Sequence, residues 1–281
     1  MAEIIHGKRL AEKIREQVKH QVETLGHPPG LAAIIVGNDP ASRLYVRLKE
    51  QAAKEAGIFF ELLDFPEEVS TGKIIKEIKK LNDRDDIAGI LVQLPLPSHD
   101  EDKVIAAINP IKDVDGFHAK NREHLAKEKA SLVPPVALAV VQLIEATHQP
   151  LRGKTAVIIG NNPIFAEPIV HLLKAMQVKA DFLQKDETSL AAKSQMADMI
   201  IIAVGKRNFL KPEMVKEGAI VIDVGTNKKE NHVVGDVSPS IKEKAGFLSP
   251  VPGGVGPLTV AYLLMNVVRA ATMQKSRHSK S

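Results

Sequence analysis

The chain has 281 residues, of which 44% are hydrophobic, so it is long enough and apolar enough for two packed domains. It contains no cysteine, which excludes disulfides, thiolate nucleophiles and cysteine-bound zinc. The net charge is +4, but only 4% of the residues are aromatic. The sequence has no basic stripe with interleaved aromatics, so no nucleic-acid partner is predicted.

The remaining composition points to the cytoplasm and to small ligands. The opening segment MAEIIHGKRLAEKIREQVKH is charged and periodic, unlike a signal peptide. The sequence has no run of about 18 apolar residues, so no membrane span is predicted. The ten histidines lack the H-x-x-x-H and H-E-x-x-H spacings, so no metal site is predicted. A mildly positive protein suits small anionic ligands.

The first half of the chain alternates predicted strands and helices. Short apolar runs predict strands at residues 31–37, 59–65 and 88–94. Amphipathic spacing predicts helices in ASRLYVRLKEQAAKEAG and STGKIIKEIKKLND, and a third in DEDKVIAAIN.

The second half repeats the alternation, beginning with a strand, a turn and a helix at residues 153–176. Further strands are predicted in KADFLQ, DMIIIAVG and AIVIDVG. Alternating strands and helices predict an α/β protein with parallel sheets covered on both faces. A polar, proline-bearing stretch at residues 118–137 predicts a boundary, which gives a catalytic domain at 1–119 and a dinucleotide domain at 120–281. The last helix, about 258–275, is expected to pack back onto the first domain.

Several polar residues stand where ligands bind such sheets. Tyr45 and Lys49 are four apart and share one helical face, although a solvated lysine is the ordinary alternative. Gln93 ends an apolar strand, where a buried amide needs partners. Asp113 and Asp115 precede a glycine, and they either contact a ligand or make Asx turns.

The turn GNNPIFA follows a predicted strand and opens a helix, which is where helix amides meet phosphate in dinucleotide domains. Asn162 replaces the second glycine of the usual motif, so an ordinary strand–helix turn remains an alternative. An asparagine can cap a helix, which keeps the phosphate-binding geometry available.

Four segments, YVRLK, GILVQLPLP, KDVDGFH and PVPGGVGPLT, occur in this order and resemble the bifunctional methylenetetrahydrofolate dehydrogenase/methenyltetrahydrofolate cyclohydrolase family. MADMIIIAVG and GAIVIDVGTN are also similar to the family's cofactor-domain strands. The resemblance spans nearly the whole chain. It implies an N-terminal α/β catalytic domain, a C-terminal Rossmann-like dinucleotide domain and a cleft between them.

The resemblance also implies roles for individual residues. Lys49 would be the general acid and base of methenyl hydrolysis, and Gln93 would hydrogen-bond it. Tyr45 would stack along the folate, and Asp115 would accept hydrogen bonds from the pterin. The expected substrate contacts are Tyr45, Val92, Gln93, Leu94, Asp115, Pro252, Gly253, Gly254, Val255, Gly256 and Pro257. The expected cofactor contacts are Gly160, Asn161, Asn162 and Thr226.

The glycine-rich loop is expected to lie beside the folate, so Gly254→Val should impair folate binding and leave the fold intact. The family also implies a homodimer formed through the cofactor domains.

The cofactor half departs from the family pattern. The resemblance implies NADP, but the phosphate turn carries Asn161 and Asn162 in place of the usual residues. Asp186 and Glu187 stand where many members meet the ribose or its phosphate. Carboxylates repel a ribose phosphate and bind free hydroxyls, so we expect NAD to be tolerated better than NADP, or a weak dehydrogenase.

Two alternative functions remain open from the sequence. One is a cyclohydrolase whose cofactor site has degenerated. The other is a folate- or nucleotide-binding paralogue without catalysis, although such a protein has no need of a tuned lysine.

Overall fold

The structure, a computed structural model, describes residues 1–229 and 232–278 and divides into two compact units. The six-stranded unit combines Met1–Ala11 with Val136–Thr259. The three-stranded unit combines Glu12–Pro135 with the chain from Val260 onward. The division between them falls inside three helices.

Strands and helices alternate along most of the chain. The strands are β1 (Glu3–Ile4), β2 (Gly30–Val36), β3 (Phe59–Phe65), β4 (Ile87–Val92), β5 (Thr155–Gly160), β6 (Lys179–Gln184), β7 (Met199–Ala203), β8 (Ile220–Asp223), β9 (Asn227–Lys229), β10 (His232–Val234) and β11 (Phe247–Leu248). The α-helices are α1 (Gly7–Thr24), α2 (Pro40–Glu55), α3 (Thr71–Asn82), α4 (Glu101–Ala106), α5 (Ala119–Ala126), α6 (Pro135–Glu145), α7 (Pro163–Ala175), α8 (Leu190–Met196) and α9 (Val255–His278). Two short 3-10 helices span Pro212–Met214 and Pro239–Glu243.

The three-stranded unit is built on a parallel sheet in the order β3-β2-β4. β2 and β4 are buried along their whole length, as predicted for strands covered on both faces. Ile74 and Ile78 of α3 pack in one core cluster with Ile34 of β2 and Ile90 of β4. The apolar face of α3 therefore closes one side of this sheet.

The six-stranded unit is built on a parallel sheet in the order β1-β11-β8-β7-β5-β6. From β5 the chain adds β6 on one side and then β7 on the other, so the topological switch point lies between β5 and β7. Ligands of open α/β sheets bind outside the carboxyl ends of the strands at such a point. The prediction of a two-domain α/β protein with a Rossmann-like parallel sheet is confirmed.

The observed division differs from the predicted boundary after residue 119. The chain up to Pro135 belongs to the three-stranded unit, and residues 1–11 belong to the six-stranded unit. Asn121 explains much of the difference, because its buried Nδ2 donates to the Pro110 carbonyl and to Asp113 Oδ2, both at 2.9 Å. Leu132 and Val133 are also buried. The polar composition of the stretch therefore conceals side chains that anchor it.

Helix α9 is more apolar than the sequence analysis indicated. Among the described residues, Val255–Ser276 is long and apolar enough to cross a membrane by length and composition, and 61% of its most apolar window is buried inside the protein. From Val260 onward it belongs to the three-stranded unit. Asn266 Nδ2 there donates to the carbonyls of Val114 and Val133, and Gln274 donates to the Ala88 carbonyl. Burial against this unit accounts for the apolar composition of α9.

Candidate active site

Helix α2 carries Lys49 on its buried face. Asp39 caps the helix by accepting a hydrogen bond from the Ser42 N–H at 2.7 Å. Val46 and Ala53 are buried on the same side, one turn before and one turn after the lysine. The Lys49 side chain is only 9% exposed. The alternative of a solvated surface lysine is therefore excluded.

Gln93 holds the amine of Lys49 in place. Lys49 Nζ donates to Gln93 Oε1 at 2.9 Å, which is the hydrogen bond expected from the family resemblance. The Gln93 Nε2 donates to the Leu94 carbonyl at 2.8 Å. The Gln93 backbone N–H donates to Ile34 O at 2.8 Å and so extends the pairing of β4 with β2. The amide oxygen that meets Lys49 is thus fixed by both its own side chain and the sheet.

The charges of Lys49 and Asp115 are coupled. Burial lowers the pKa of Lys49, and the negative charge of Asp115 opposes that shift. Burial raises the pKa of Asp115 to about 6, while Lys49 opposes the rise and Asp113 adds to it. Burial therefore makes the Lys49 amine easier to deprotonate, and a lowered pKa is what a lysine needs to act as a general base.

Asp113 and Asp115 have different tasks. Asp113 is 1% exposed, and its carboxylate accepts hydrogen bonds from the N–H groups of Gly116 and His118 and from Asn121 Nδ2. It therefore makes the turn that the sequence left as an alternative. Asp115 is half-buried, and no hydrogen bond to its carboxylate is found in the described part of the chain. That carboxylate remains available to a ligand.

The other predicted substrate contacts of this unit lie on α2, at the end of β4 and just after β4. Tyr45 lies one turn before Lys49 on α2 and is half-buried. Val92 is buried at the end of β4, and Leu94 is half-buried just beyond Gln93. The structure thus brings these residues to the carboxyl end of the three-stranded sheet.

The glycine-rich loop lies between β11 and α9 and packs on the protein's own backbone. A Cβ atom on Gly254 would lie 2.6 Å from the Pro250 carbonyl oxygen, and one on Gly7 would lie 2.0 Å from the Gly254 carbonyl oxygen. Gly253 has a positive φ of 103°, and its carbonyl accepts a hydrogen bond from the Lys8 N–H. Gly254 is required by this packing, which corrects the expectation that Gly254→Val would leave the fold intact.

The remaining loop positions differ in exposure. Pro252 and Gly256 are exposed, and Pro257 is half-buried, whereas Gly254 and Val255 are buried. No atom lies within 4 Å of a Cβ atom built on Gly256. Of the predicted loop contacts, Pro252 and Gly256 are the ones best placed to meet a ligand.

The predicted phosphate turn links two neighbouring strands. Asn162 caps α7, because its Oδ1 accepts a hydrogen bond from the Ile164 N–H at 2.9 Å. Asn161 Nδ2 donates to the Val204 carbonyl at 3.0 Å, which joins the turn after β5 to the loop after β7. A Cβ atom on Gly160 would make only ordinary contacts, the nearest at 3.5 Å. Close backbone approach therefore does not explain this glycine.

The side chains at this edge fit a phosphate-bearing ligand. Pro163 has no N–H and Asn162 occupies that of Ile164, so the helix end offers fewer amides than a glycine-rich turn. Exposed donors instead follow β5, β7 and β8. They are Asn161, Asn162, Lys206, Arg207 and Thr226. Amide, hydroxyl and cationic groups suit a dinucleotide diphosphate.

One of the two carboxylates after β6 is paired with a cation, which the sequence did not indicate. Glu187 accepts hydrogen bonds from Ser189 Oγ at 2.6 Å and from Lys193 Nζ at 2.8 Å. The bond from Lys193 lowers the pKa of Glu187 and pairs its charge. Asp186 remains exposed, between Lys185 and Glu187. Of these two carboxylates, Glu187 has a paired cation, and no ion pair of Asp186 is found in the described part of the chain.

The sequence analysis missed two buried carboxylates in the six-stranded unit. Asp223 ends β8 and is 4% exposed, and Asp236 follows β10 and is 0% exposed. Each stands beside a glycine-containing turn, in DVG and VGD. An acidic residue next to glycine after an apolar strand is the signal that marks such loop-organising carboxylates.

Both halves of the chain match one family. Residues 5–115 match the catalytic domain of tetrahydrofolate dehydrogenase/cyclohydrolase, and residues 134–275 match the NAD(P)-binding domain. The chain belongs to the tetrahydrofolate dehydrogenase/cyclohydrolase family. The family resemblance inferred from four short segments is confirmed.

Relatives match over nearly the full length. The "Bifunctional protein FolD" of Listeria innocua is 44% identical over 277 residues, covering 96% of this chain and 98% of that protein. The crystal structure of the bifunctional FolD enzyme from Campylobacter jejuni has a TM-score of 0.92 at 38% identity, covering 98% of this chain and 100% of that one. FolD from Trypanosoma brucei, crystallised with NADP and an inhibitor, has a TM-score of 0.93 at 31% identity and 98% coverage of both chains.

Proposed function

We propose that the chain is a bifunctional enzyme of one-carbon folate metabolism. It oxidises methylenetetrahydrofolate to methenyltetrahydrofolate with NAD(P)+ and hydrolyses methenyltetrahydrofolate to formyltetrahydrofolate. The observation that carries the proposal is the buried Lys49 amine, bonded to Gln93 and coupled to Asp115, in a chain that matches both domains of the family.

The hydrolysis requires two proton movements, and Lys49 is the group suited to both. Addition of water to the methenyl carbon releases one proton. Opening of the ring then moves a second proton from the hydroxyl of the adduct to the departing nitrogen. Because its pKa is lowered, Lys49 Nζ accepts the first proton and releases it to solvent, and it then takes the proton of the adduct hydroxyl and donates it to the departing nitrogen. Gln93 keeps the amine aimed through its 2.9 Å hydrogen bond.

Substrate orientation is assigned to the neighbouring side chains. The ionised carboxylate of Asp115 accepts hydrogen bonds from the N–H groups of the pterin. Tyr45 presents an aromatic face one turn from Lys49. Together they hold the one-carbon unit near the amine, which is the positional contribution that enzymes use to lower a barrier.

The dinucleotide, when bound, supplies the hydride acceptor for the oxidation. Asn161, Asn162 and Thr226 would hold it at the carboxyl edge of the six-stranded sheet. We propose that NAD+ is used better than NADP+, because Asp186 is an exposed carboxylate after β6. The pairing of Glu187 with Lys193 reduces the expected discrimination.

One absorbance assay on purified protein tests the function. Decay of methenyltetrahydrofolate without cofactor measures hydrolysis, and its formation from methylenetetrahydrofolate with NAD+ or NADP+ measures oxidation. We expect both reactions, with the faster oxidation in NAD+. Hydrolysis alone would indicate a cyclohydrolase with a degenerate cofactor site. Folate binding without either reaction would indicate the non-catalytic paralogue, and a strong NADP+ preference would refute the cofactor assignment.

We also propose that the protein is a cytoplasmic homodimer. The family resemblance implies an interface in the cofactor domain, and among described residues of the six-stranded unit the exposed large apolar side chains are Met196 and Met1. Four others lie on α2 and the edge strand β3, namely Leu44, Leu48, Phe59 and Leu62. A second copy seated there would cover these side chains and the open edge of β3. Sedimentation of Leu62→Asp beside Met196→Asp distinguishes the two faces, because only the variant in the true interface dissociates.

A further inference from the structure

Asp236 gathers four hydrogen bonds on one buried carboxylate. Its Oδ2 accepts from the N–H groups of Val204 at 2.7 Å and Gly205 at 3.0 Å. Its Oδ1 accepts from the N–H of Lys206 and from Asn227 Nδ2, both at 2.8 Å. The N–H groups of three consecutive residues therefore donate to one side chain, which lies at least 30 residues later in the sequence.

The segment held by Asp236 is the loop that follows β7, residues 204–208, which we call the β7 loop. Gly205, Lys206, Arg207 and Asn208 are exposed, and both Gly205 and Asn208 have positive φ values, of 70° and 56°. Val204 is anchored in the core, whereas the four residues that follow it are exposed, and Asp236 holds the amides of Gly205 and Lys206. Its first residue, Val204, also accepts the hydrogen bond from Asn161 of the phosphate turn. The β7 loop thus lies at the switch point of the sheet. It is hydrogen-bonded to Asn161 after β5 and to Asp236 after β10.

A second carboxylate fixes Asp236 itself. Asp223 Oδ1 accepts from the N–H groups of Asp236 and Gly225, both at 3.0 Å, and its Oδ2 accepts from the N–H of Val237 at 3.0 Å. A Cβ atom on Gly225 would lie 2.2 Å from Asp236 Cγ, and one on Gly235 would lie 1.8 Å from Asp223 Oδ2. The two glycines leave the space that the two carboxylates fill.

We propose that Asp236 is a positioning residue for the dinucleotide. By holding residues 204–206 and Asn227, it sets the place of Asn161 and Lys206 on one side of the site and of Thr226 on the other. Replacing the carboxylate by an amide turns one of its two accepting oxygens into an NH2 donor that faces backbone N–H groups, and this frees the β7 loop to leave the binding conformation. The inference rests on the proposed function, because it assigns a residue to the cofactor half of that enzyme.

The test compares Asp236→Asn with Asp198→Asn. Asp198 lies in the same unit before β7, at the opposite edge of the sheet, and accepts from the Thr155 N–H at 2.9 Å and from Lys216 Nζ at 2.7 Å. Both variants lose a well-bonded carboxylate and both are expected to unfold at a lower temperature. Calorimetric titration with NAD+ and with NADP+ measures the dissociation constants, and methenyl hydrolysis, which uses no dinucleotide, measures the other activity.

We expect Asp236→Asn to raise the dissociation constant of the preferred dinucleotide by at least about tenfold, as a misplaced binding group does. Hydrolysis should keep its kcat/KM within about twofold in the same protein, and Asp198→Asn should bind dinucleotide within about twofold of the wild type. Gly225→Ala, which displaces the Asp236 carboxylate, should weaken binding in the same way.

Three results would overturn the inference while the proposed function stands: unchanged dinucleotide binding in Asp236→Asn, an equal loss in Asp198→Asn, or a parallel loss of hydrolysis. A wild-type protein that binds neither dinucleotide would overturn both the inference and the oxidising half of the proposed function.

Discussion

At the residue scale, the proposed chemistry depends on two buried groups that influence each other's charge. Burial disfavours the ammonium form of Lys49 and the carboxylate form of Asp115, while their mutual attraction favours both charged forms. Burial and mutual attraction therefore act in opposite directions on the charges of both groups. Gln93 adds orientation without adding charge.

The first prediction concerns the pH dependence of hydrolysis. The pKa of Asp115 is raised to about 6, so this carboxyl group is ionised above that pH and protonated below it. The ionised form presents two accepting oxygens to the pterin N–H groups, whereas protonation turns one oxygen into a donor, so kcat/KM for methenyl hydrolysis should fall as the pH drops through about 6. Asp115→Asn should lower kcat/KM at pH 7.5 by at least about tenfold and remove this acidic limb.

Asp186→Asn, a change at an exposed carboxylate of the other unit, serves as the control and should keep the wild-type profile. An acidic limb that persists unchanged in Asp115→Asn would show that another group controls the titration.

The sequence anticipated residues whose neighbours are near in the chain or whose motif resembles the family. The hydrogen bond between Lys49 and Gln93 is of this kind. Asp236 was missed because its partners, the amides of residues 204–206, lie 30 to 32 residues away, and the adjacent glycine, the local signal of such a carboxylate, does not identify those partners. Likewise, the pairing of Glu187 with Lys193 emerges only when α8 forms.

At the element scale, the loop before α9 shows how one motif serves two needs. Gly254 is tightly packed against the Pro250 carbonyl and against Gly7, whereas Gly256 faces open space. These two glycines of one motif therefore have different physical roles. A ligand-binding function belongs to the open position and a folding function to the packed one.

The second prediction separates these roles. A Cβ atom at position 254 would lie 2.6 Å from a backbone oxygen, and neither atom can give way cheaply. Gly254→Ala should lower the unfolding temperature by about 2–12 °C, since overpacking costs about 1–3 kcal/mol and each kcal/mol corresponds to roughly 2–4 °C at this size. Gly256→Ala should be neutral or stabilising, because alanine is the better helix former. Thermal unfolding of the two variants side by side measures the difference.

Gly256→Leu completes this comparison. It places a large side chain in the open space at the start of α9, so it should raise the KM for folate while the unfolding temperature stays within about 2 °C of the wild type. Equal destabilisation by both alanine variants would contradict the assignment of a packing role to Gly254.

The long periodic elements were predictable, and the short ones were not. β2 through β8 follow apolar runs visible in the sequence. β1 and β11 have only two residues each and pair with one another from opposite ends of the chain. Such strands are held by their neighbours in the sheet and not by their own propensity, so no local pattern reports them.

At the scale of the whole molecule, each compact unit is assembled from separate parts of the chain. The three-stranded unit needs α9, whose Asn266 supplies hydrogen bonds to Val114 and Val133. Val267 of the same helix packs next to Gly89 of β4, where a Cβ atom would lie 3.3 Å from its methyl group. The sequence analysis expected the last helix to pack back onto the first domain, and the chain from Val260 onward does group with the three-stranded unit.

The third prediction follows from that discontinuity. A fragment of residues 1–119, the predicted catalytic domain, lacks α9 and the anchoring Asn121. It would expose the apolar side chains that α9 covers, so it should show no cooperative thermal transition by circular dichroism, in contrast to the full chain. A sharp transition in the fragment would show that α9 is dispensable for this unit.

The most direct test of the central claim is the rate of methenyltetrahydrofolate hydrolysis by Lys49→Met beside Lys54→Met. Methionine fills the buried position of Lys49 without an amine, while Lys54 is a 66% exposed side chain on the same helix. We expect Lys49→Met to lose at least about 10²-fold in kcat, the contribution of a general acid–base group, and to keep its unfolding temperature. Lys54→Met should match the wild type. Retention of the wild-type rate by folded Lys49→Met would show that the buried amine does not move the proton.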